Sequence, residues 1–122
     1  MQPPDIVFLA DILDSARLVQ EFTAGISCDE LKHDVMRHSA VERHLEVVGE
    51  AAKSVSAEFR AAHPEIPWKA MAGLRDILIH AYRRVDLDEI CRICSEDIRS
   101  SSGTSSRWFR QWTNDFPRFV AK

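Results

Sequence analysis

The stretch SAVERHLEVVGEAAKSVSAEF, Ser39 to Phe59, carries the clearest periodicity in the chain. Val41, Leu45, Val48, Ala52, Val55 and Phe59 recur at steps of three, four and seven residues, which places them on one face of a helix. Glu42, Glu46, Glu50 and Lys53 fall between them. This is a long amphipathic helix that needs partners to cover its apolar stripe. His63-Pro64-Glu65-Ile66-Pro67 must end it, because proline cannot donate to the helix ladder and restricts the residue before it.

Working outward, the N-terminal side repeats the pattern. Ile6, Leu9, Ala10, Leu13, Ala16, Val19 and Phe22 predict a helix from about Asp5 to Phe22. Thr23-Ala24-Gly25 stops it, with Gly25 suited to a left-handed cap. Ser27-Cys28-Asp29-Glu30 is a capping-box pattern that opens a short helix to about Val35. On the C-terminal side, Pro67 suits the first turn of a helix with Trp68, Met71, Leu74, Leu78 and Ala81 on its apolar side. Asp86-Leu87-Asp88-Glu89 opens a last core helix through about Ile98, with Leu87, Ile90, Cys91, Cys94 and Ile98 apolar. No strand is expected. Amphipathic helices joined by short loops predict an all-α fold, an antiparallel up-and-down helical bundle of four to five helices. Residues 1–99 form that domain. Residues 100–122 are a Ser-rich linker followed by a tail with Trp108, Trp112, Phe116 and Phe119 at near-helical spacing. The tail suits a cover for the bundle, a partner contact, a dimer interface or no role at all.

The 122 residues fit one domain with a modest core, so homodimerisation is a reasonable expectation. The net charge of -3 argues against a broad surface for gripping nucleic acid, and leaves room for a small site that handles one phosphate. The N-terminal segment lacks the basic start of a signal peptide, and no run approaches the ~18 apolar residues that span a membrane. Three cysteines, Cys28, Cys91 and Cys94, with no leader, predict reduced thiols in a cytoplasm. Cys91 and Cys94 continue an apolar stripe and are expected to be buried free thiols, not half of a zinc site. His38, Glu42, Glu46 and Glu50 share a helix face, but no second helix offers a matching Glu-x-x-His pair, so a solvated face is expected and no metal. Gly49 and Gly73 inside helices are expected to permit close helix approach.

The segment with chemistry is RDILIHAY, Arg75 to Tyr82. Arg75 and Tyr82 are seven residues apart and share a face; Asp76 and His80 are four apart and share another. Arg75 and His80 are five apart, roughly 140° around the axis, within reach of one cleft for a long side chain. Such a set suits cleavage of an RNA phosphodiester. Histidine titrates near neutral pH and can take the 2'-hydroxyl proton or protonate the leaving 5'-oxygen. Arginine holds a phosphate bidentately and offsets its developing charge. The nucleophile belongs to the RNA, so neither a metal nor another cofactor is required. One histidine does not easily act as acid and base in a single step, and a symmetric dimer would supply two. On spacing alone, a helix end with solvated charges and a tyrosine packed on the bundle is the better reading, because three matches of common residues are weak. Arg83 and Arg84 suit steering of RNA or an acidic partner, and equally suit complementing a helix C-terminus.

Several blocks in order add to this reading. They are Leu45-Glu46-Val47-Val48-Gly49-Glu50-Ala51-Ala52-Lys53, Phe59-Arg60, His63-Pro64-Glu65-Ile66-Pro67-Trp68, Gly73-Leu74-Arg75-Asp76, Ile79-His80-Ala81-Tyr82 and Val85-Asp86-Leu87. Over about residues 5 to 98 the chain resembles the HepT branch of the HEPN superfamily. The resemblance implies a HEPN-like dimeric bundle and a metal-independent endoribonuclease toxin of a toxin–antitoxin system. It implies catalytic roles for Arg75 and His80 at the dimer cleft. It also implies a nucleotidyltransferase antitoxin that transfers AMP to Tyr82. The added phosphate would then block the cleft with negative charge. Two positions depart from the family pattern. Asp76 stands where a polar amide is usual, and such a carboxylate can pair with Arg75 or position His80. Ala81 stands where glycine is frequent. The alternative is a non-catalytic HEPN subunit that binds nucleotide or serves its nucleotidyltransferase partner.

Overall fold

The computed structural model describes residues 3–81 and 87–94. Six helices occupy them: α1 (Pro3–Thr23), α2 (Cys28–His33), α3 (Val35–Ser54), α4 (Ala57–Ala62), α5 (Trp68–Ala81) and α6 (Leu87–Cys94). Among the described residues there is no strand. The expected all-helical class holds. Among the described residues, no helix is long and apolar enough to cross a membrane. The linker and tail, residues 100–122, lie outside the described residues.

α1 and α3 form the central pair and run antiparallel. At one end, the Arg37 guanidinium near the start of α3 donates to the Phe22 carbonyl near the end of α1, at 2.9 Å. At the other end, Ser56, just past α3, reaches Asp5 near the start of α1. Leu9, Ile12, Ala16 and Val19 of α1 meet Val41, Leu45, Val48 and Ala52 of α3 in one core. Met71, Leu74 and Leu78 of α5, with Ile90 and Ile93 of α6, complete it.

Local signals explain the ends. Gly25 has φ +73°, the left-handed turn expected after α1. The Ser27–Glu30 capping box forms with both bonds present, Glu30 N–H to Ser27 Oγ and Ser27 N–H to Glu30 Oε1. Asp34 then caps α3 by accepting from the Arg37 amide.

Three expectations are corrected. First, the helix expected over 39–59 begins at Val35 and breaks after Ser54, and a separate α4 follows. The cause is Asp5. Its buried carboxylate accepts the Ser56 N–H at 2.8 Å and the Ser56 hydroxyl at 2.7 Å. Ser56 Oγ in turn accepts the Phe59 amide and caps α4. These bonds offset the continuation of α3, and Val55 turns extended. Second, the inward stripe of α1 is Asp5, Leu9, Ile12, Ala16 and Val19. Ile6, expected on that stripe, is 52% exposed. Third, Cys28 and Cys91 are not free thiols. Their sulfurs are bonded, with the Cα atoms 5.5 Å apart, joining the first residue of α2 to α6. Cys94, the other cysteine of the pair expected to be buried, lies outside this bond and is buried.

Candidate functional site

The site grows from the seam between α3 and α5. The start of α5 is fixed by the corner that precedes it. Trp68 Nε1–H donates to the His63 carbonyl at 2.9 Å, and its ring meets Phe59 edge-on at 6.0 Å. From there Met71, Leu74 and Leu78 turn inward, one helical step at a time, and leave Arg75 and Asp76 toward solvent.

Gly49 sets the depth of the seam. A Cβ on Gly49 would stand 3.0 Å from the Arg75 amide nitrogen and 3.2 Å from the Met71 carbonyl oxygen. α3 and α5 therefore approach backbone to backbone at the position of Arg75. The close approach expected of Gly49 is present. At Gly73 it is not: among the described residues no atom comes within 4 Å of its Cβ position.

That approach brings charged side chains of the two helices together. Glu50 Oε1 lies 3.7 Å from Arg75 Nε, and Lys53 Nζ lies 3.9 Å from Asp76 Oδ1. Each pair takes one residue from α3 and one from α5, with the signs reversed between them. All four side chains reach solvent; Arg75 and Lys53 are each 42% exposed. Glu50 engages the Nε edge of Arg75, which leaves the far edge of the guanidinium fork for an anion.

The expected site residues are placed as follows. Arg75 and Asp76 stand side by side on α5, but their ion-pair partners are Glu50 and Lys53. For Asp76, where pairing with Arg75 or His80 was open, the contact present is Lys53, and Arg75 meets Glu50, both reached across the seam. His80 lies on the last turn of α5, and its side chain lies outside the described part. Tyr82, Arg83 and Arg84 also lie outside the described residues. The stretch His38, Glu42, Glu46 and Glu50 is not simply solvated. His38 pairs with Glu42, Arg43 with Glu46, and Glu50 with Arg75. Glu50 and Lys53 were not legible as site residues. The signal was there in their spacing, three apart on one face of α3 beside a glycine.

The model of the family described as Ribonuclease HepT-like matches residues 12–105. The chain belongs to the HepT-like family. It is 43% identical over 96 residues to a Thermococcus cleftensis protein named "Probable ribonuclease HepT", covering 79% of this chain and 87% of the relative. It is 45% identical over 91 residues to the Methanocaldococcus jannaschii protein named "Putative RNase MJ1380", covering 75% of this chain and 84% of the relative. No solved structure matches. The matched span of the HepT-like family contains the whole α3–α5 seam and the segment from Arg75 to Tyr82.

Proposed function

We propose that this HepT-like chain is a metal-independent endoribonuclease. The observation that carries the reading is Arg75: half-exposed, beside Glu50 at 3.7 Å, and five residues before His80 on the same helix. A guanidinium with an open edge is suited to a phosphodiester. In the reaction, the RNA 2'-oxygen attacks the adjacent phosphorus and the bond to the 5'-oxygen breaks. His80 takes the 2'-hydroxyl proton, and a second His80 protonates the leaving oxygen. Arg75 offsets charge on the non-bridging oxygens. The products are a 2',3'-cyclic phosphate and a 5'-hydroxyl. The two histidines come from a homodimer, which the paired proton transfers and the small chain favour.

Tyr82 orients the substrate and is the site at which a nucleotidyltransferase antitoxin adds AMP. Arg83 and Arg84 contact RNA or that partner. Asp76 carries its negative charge against Lys53. The biological role is that of a toxin, acting on RNA in the cytoplasm.

The test is cleavage of total RNA and tRNA in EDTA by wild type, His80→Ala and Arg75→Ala. Cleavage by wild type alone, with cyclic phosphate ends, is the expected result. Absence of cleavage by unmodified wild type would overturn it and leave the rival, a non-catalytic partner subunit. The carboxylates of Glu50 and Asp76 beside Arg75 are the feature that favours the rival, since they repel a phosphate.

A further inference from the structure

We infer that Lys53 is a second phosphate-binding residue of the ribonuclease site. The inference rests on the reading of Arg75 as the residue that holds the scissile phosphate. Lys53 stands on the last turn of α3, three residues after Glu50. Its ammonium lies 3.9 Å from the carboxylate of Asp76, the neighbour of Arg75 on α5. The Glu50–Arg75 and Lys53–Asp76 pairs thus form adjacent steps of one seam, and both cations are 42% exposed.

The balance of charges points the same way. Glu50 and Asp76 cancel Arg75 and Lys53, so without Lys53 the patch would carry a net negative charge and repel RNA. The chain as a whole is acidic, at -3, and offers no general attraction to replace it. An exposed ion pair of this length is weak, because water and salt screen it. It holds the ammonium near the seam without locking it there. A phosphate oxygen that displaces Asp76 gains a charge-assisted hydrogen bond. Lysine acts as a point charge with rotating donors, whereas arginine is a planar fork. Lys53 therefore suits a neighbouring phosphate of the strand, and Arg75 the one where charge develops.

The experiment measures binding of a short fluorescent single-stranded RNA to the full chain, over a series of salt concentrations, in a His80→Ala background that prevents cleavage. Lys53→Gln is expected to weaken binding and to make the slope of log K against log salt shallower by about 0.7, the loss of one single-strand phosphate contact. Lys53→Arg is expected to restore the slope. Lys69→Gln, at the exposed start of α5, is expected to leave it unchanged. Asp76→Asn is expected to keep the slope and tighten binding, since it removes a repelling charge. With His80 intact, the cost of Lys53→Gln in cleavage falls on KM more than on kcat. A Lys53→Gln protein that binds RNA with the parent's slope, while wild type cleaves RNA, would overturn the inference and leave the ribonuclease reading standing. A wild type that neither binds nor cleaves RNA would overturn both.

Discussion

The backbone of Arg75 fills the space a side chain on Gly49 would need, with its amide nitrogen 3.0 Å from where Cβ would stand. The obstacle is backbone on both counts, Arg75 nitrogen and Met71 oxygen, so no side chain can rotate away. Gly49→Ala is therefore expected to push α5 off α3. Overpacking costs about 1–3 kcal/mol, against about 1 kcal/mol gained from helix propensity. A net loss of about 0–2 kcal/mol in urea unfolding is expected, with RNA cleavage falling further than the lost folded fraction explains. Gly73→Ala, where space is open, should gain stability from the same propensity.

Glu50 holds the Nε edge of Arg75 from the neighbouring helix. Glu50→Ala removes an exposed ion pair worth about 0.2–1 kcal/mol, so the guanidinium samples other rotamers somewhat more often. A fall in kcat of roughly 2–5-fold is expected, and a smaller one for Glu50→Gln, which keeps an acceptor. Unchanged kcat in Glu50→Ala would show that Arg75 is placed by other means.

Asp5 is a carboxylate on the buried stripe of α1, and two Ser56 donors meet it. Asp5→Ala removes the acceptor from both. Hydrogen bonds to charged groups contribute about 1.5–3 kcal/mol each, with partial compensation by water at the mutant site. A loss of about 2–4 kcal/mol is expected by chemical unfolding, and Asp5→Asn should recover part of it.

These three residues mark the boundary of what was legible in the sequence. The stripe Val41, Leu45, Val48 and Ala52 needed only helical spacing, because burial of a helix face is a local pattern. The capping box at Ser27 and the turn at Gly25 were equally local. The break after Ser54 was not, because its cause, Asp5, lies 51 residues away in the chain. The same holds for Glu50 and Lys53. Their spacing was visible, but only the packing of α5 on α3 tells which partner each charge meets. The Cys28–Cys91 bond joins residues 63 apart, and nothing near either cysteine announces it.

That bond has a stability consequence. It closes a loop of 63 residues, and chain-entropy arguments give roughly 4 kcal/mol from restricting the unfolded state. Oxidised protein should lose about this much on addition of dithiothreitol, and Cys28→Ser should lose it without reductant. Mass spectrometry of a tryptic digest should find the two cysteine peptides joined. Equal unfolding midpoints with and without reductant would exclude the bridge from solution.

Glu65 gives a test by pH. Its own backbone N–H holds its carboxyl below the ordinary 4.5, and although slight desolvation works against this, His63 adds a hydrogen bond and charge. A lowered carboxylate stabilises the fold above its unfolded value, and the contribution disappears as pH falls through the folded value. Glu65→Gln should thus be slightly less stable than wild type near neutral pH, with the two converging in acid. An NMR titration of the Glu65 carboxyl should show a midpoint below 4.5.

The bridge between α2 and α6 also makes a ring of the chain. Glu50, Lys53, Arg75 and His80 all fall between Cys28 and Cys91. A single peptide-bond cut anywhere inside that span leaves two polypeptides that still travel as one molecule. A nicked protein would therefore keep its mass on a gel without reductant and separate into two bands with it. The residues that meet at the α3–α5 seam would stay tethered to one another after the backbone between them had been severed.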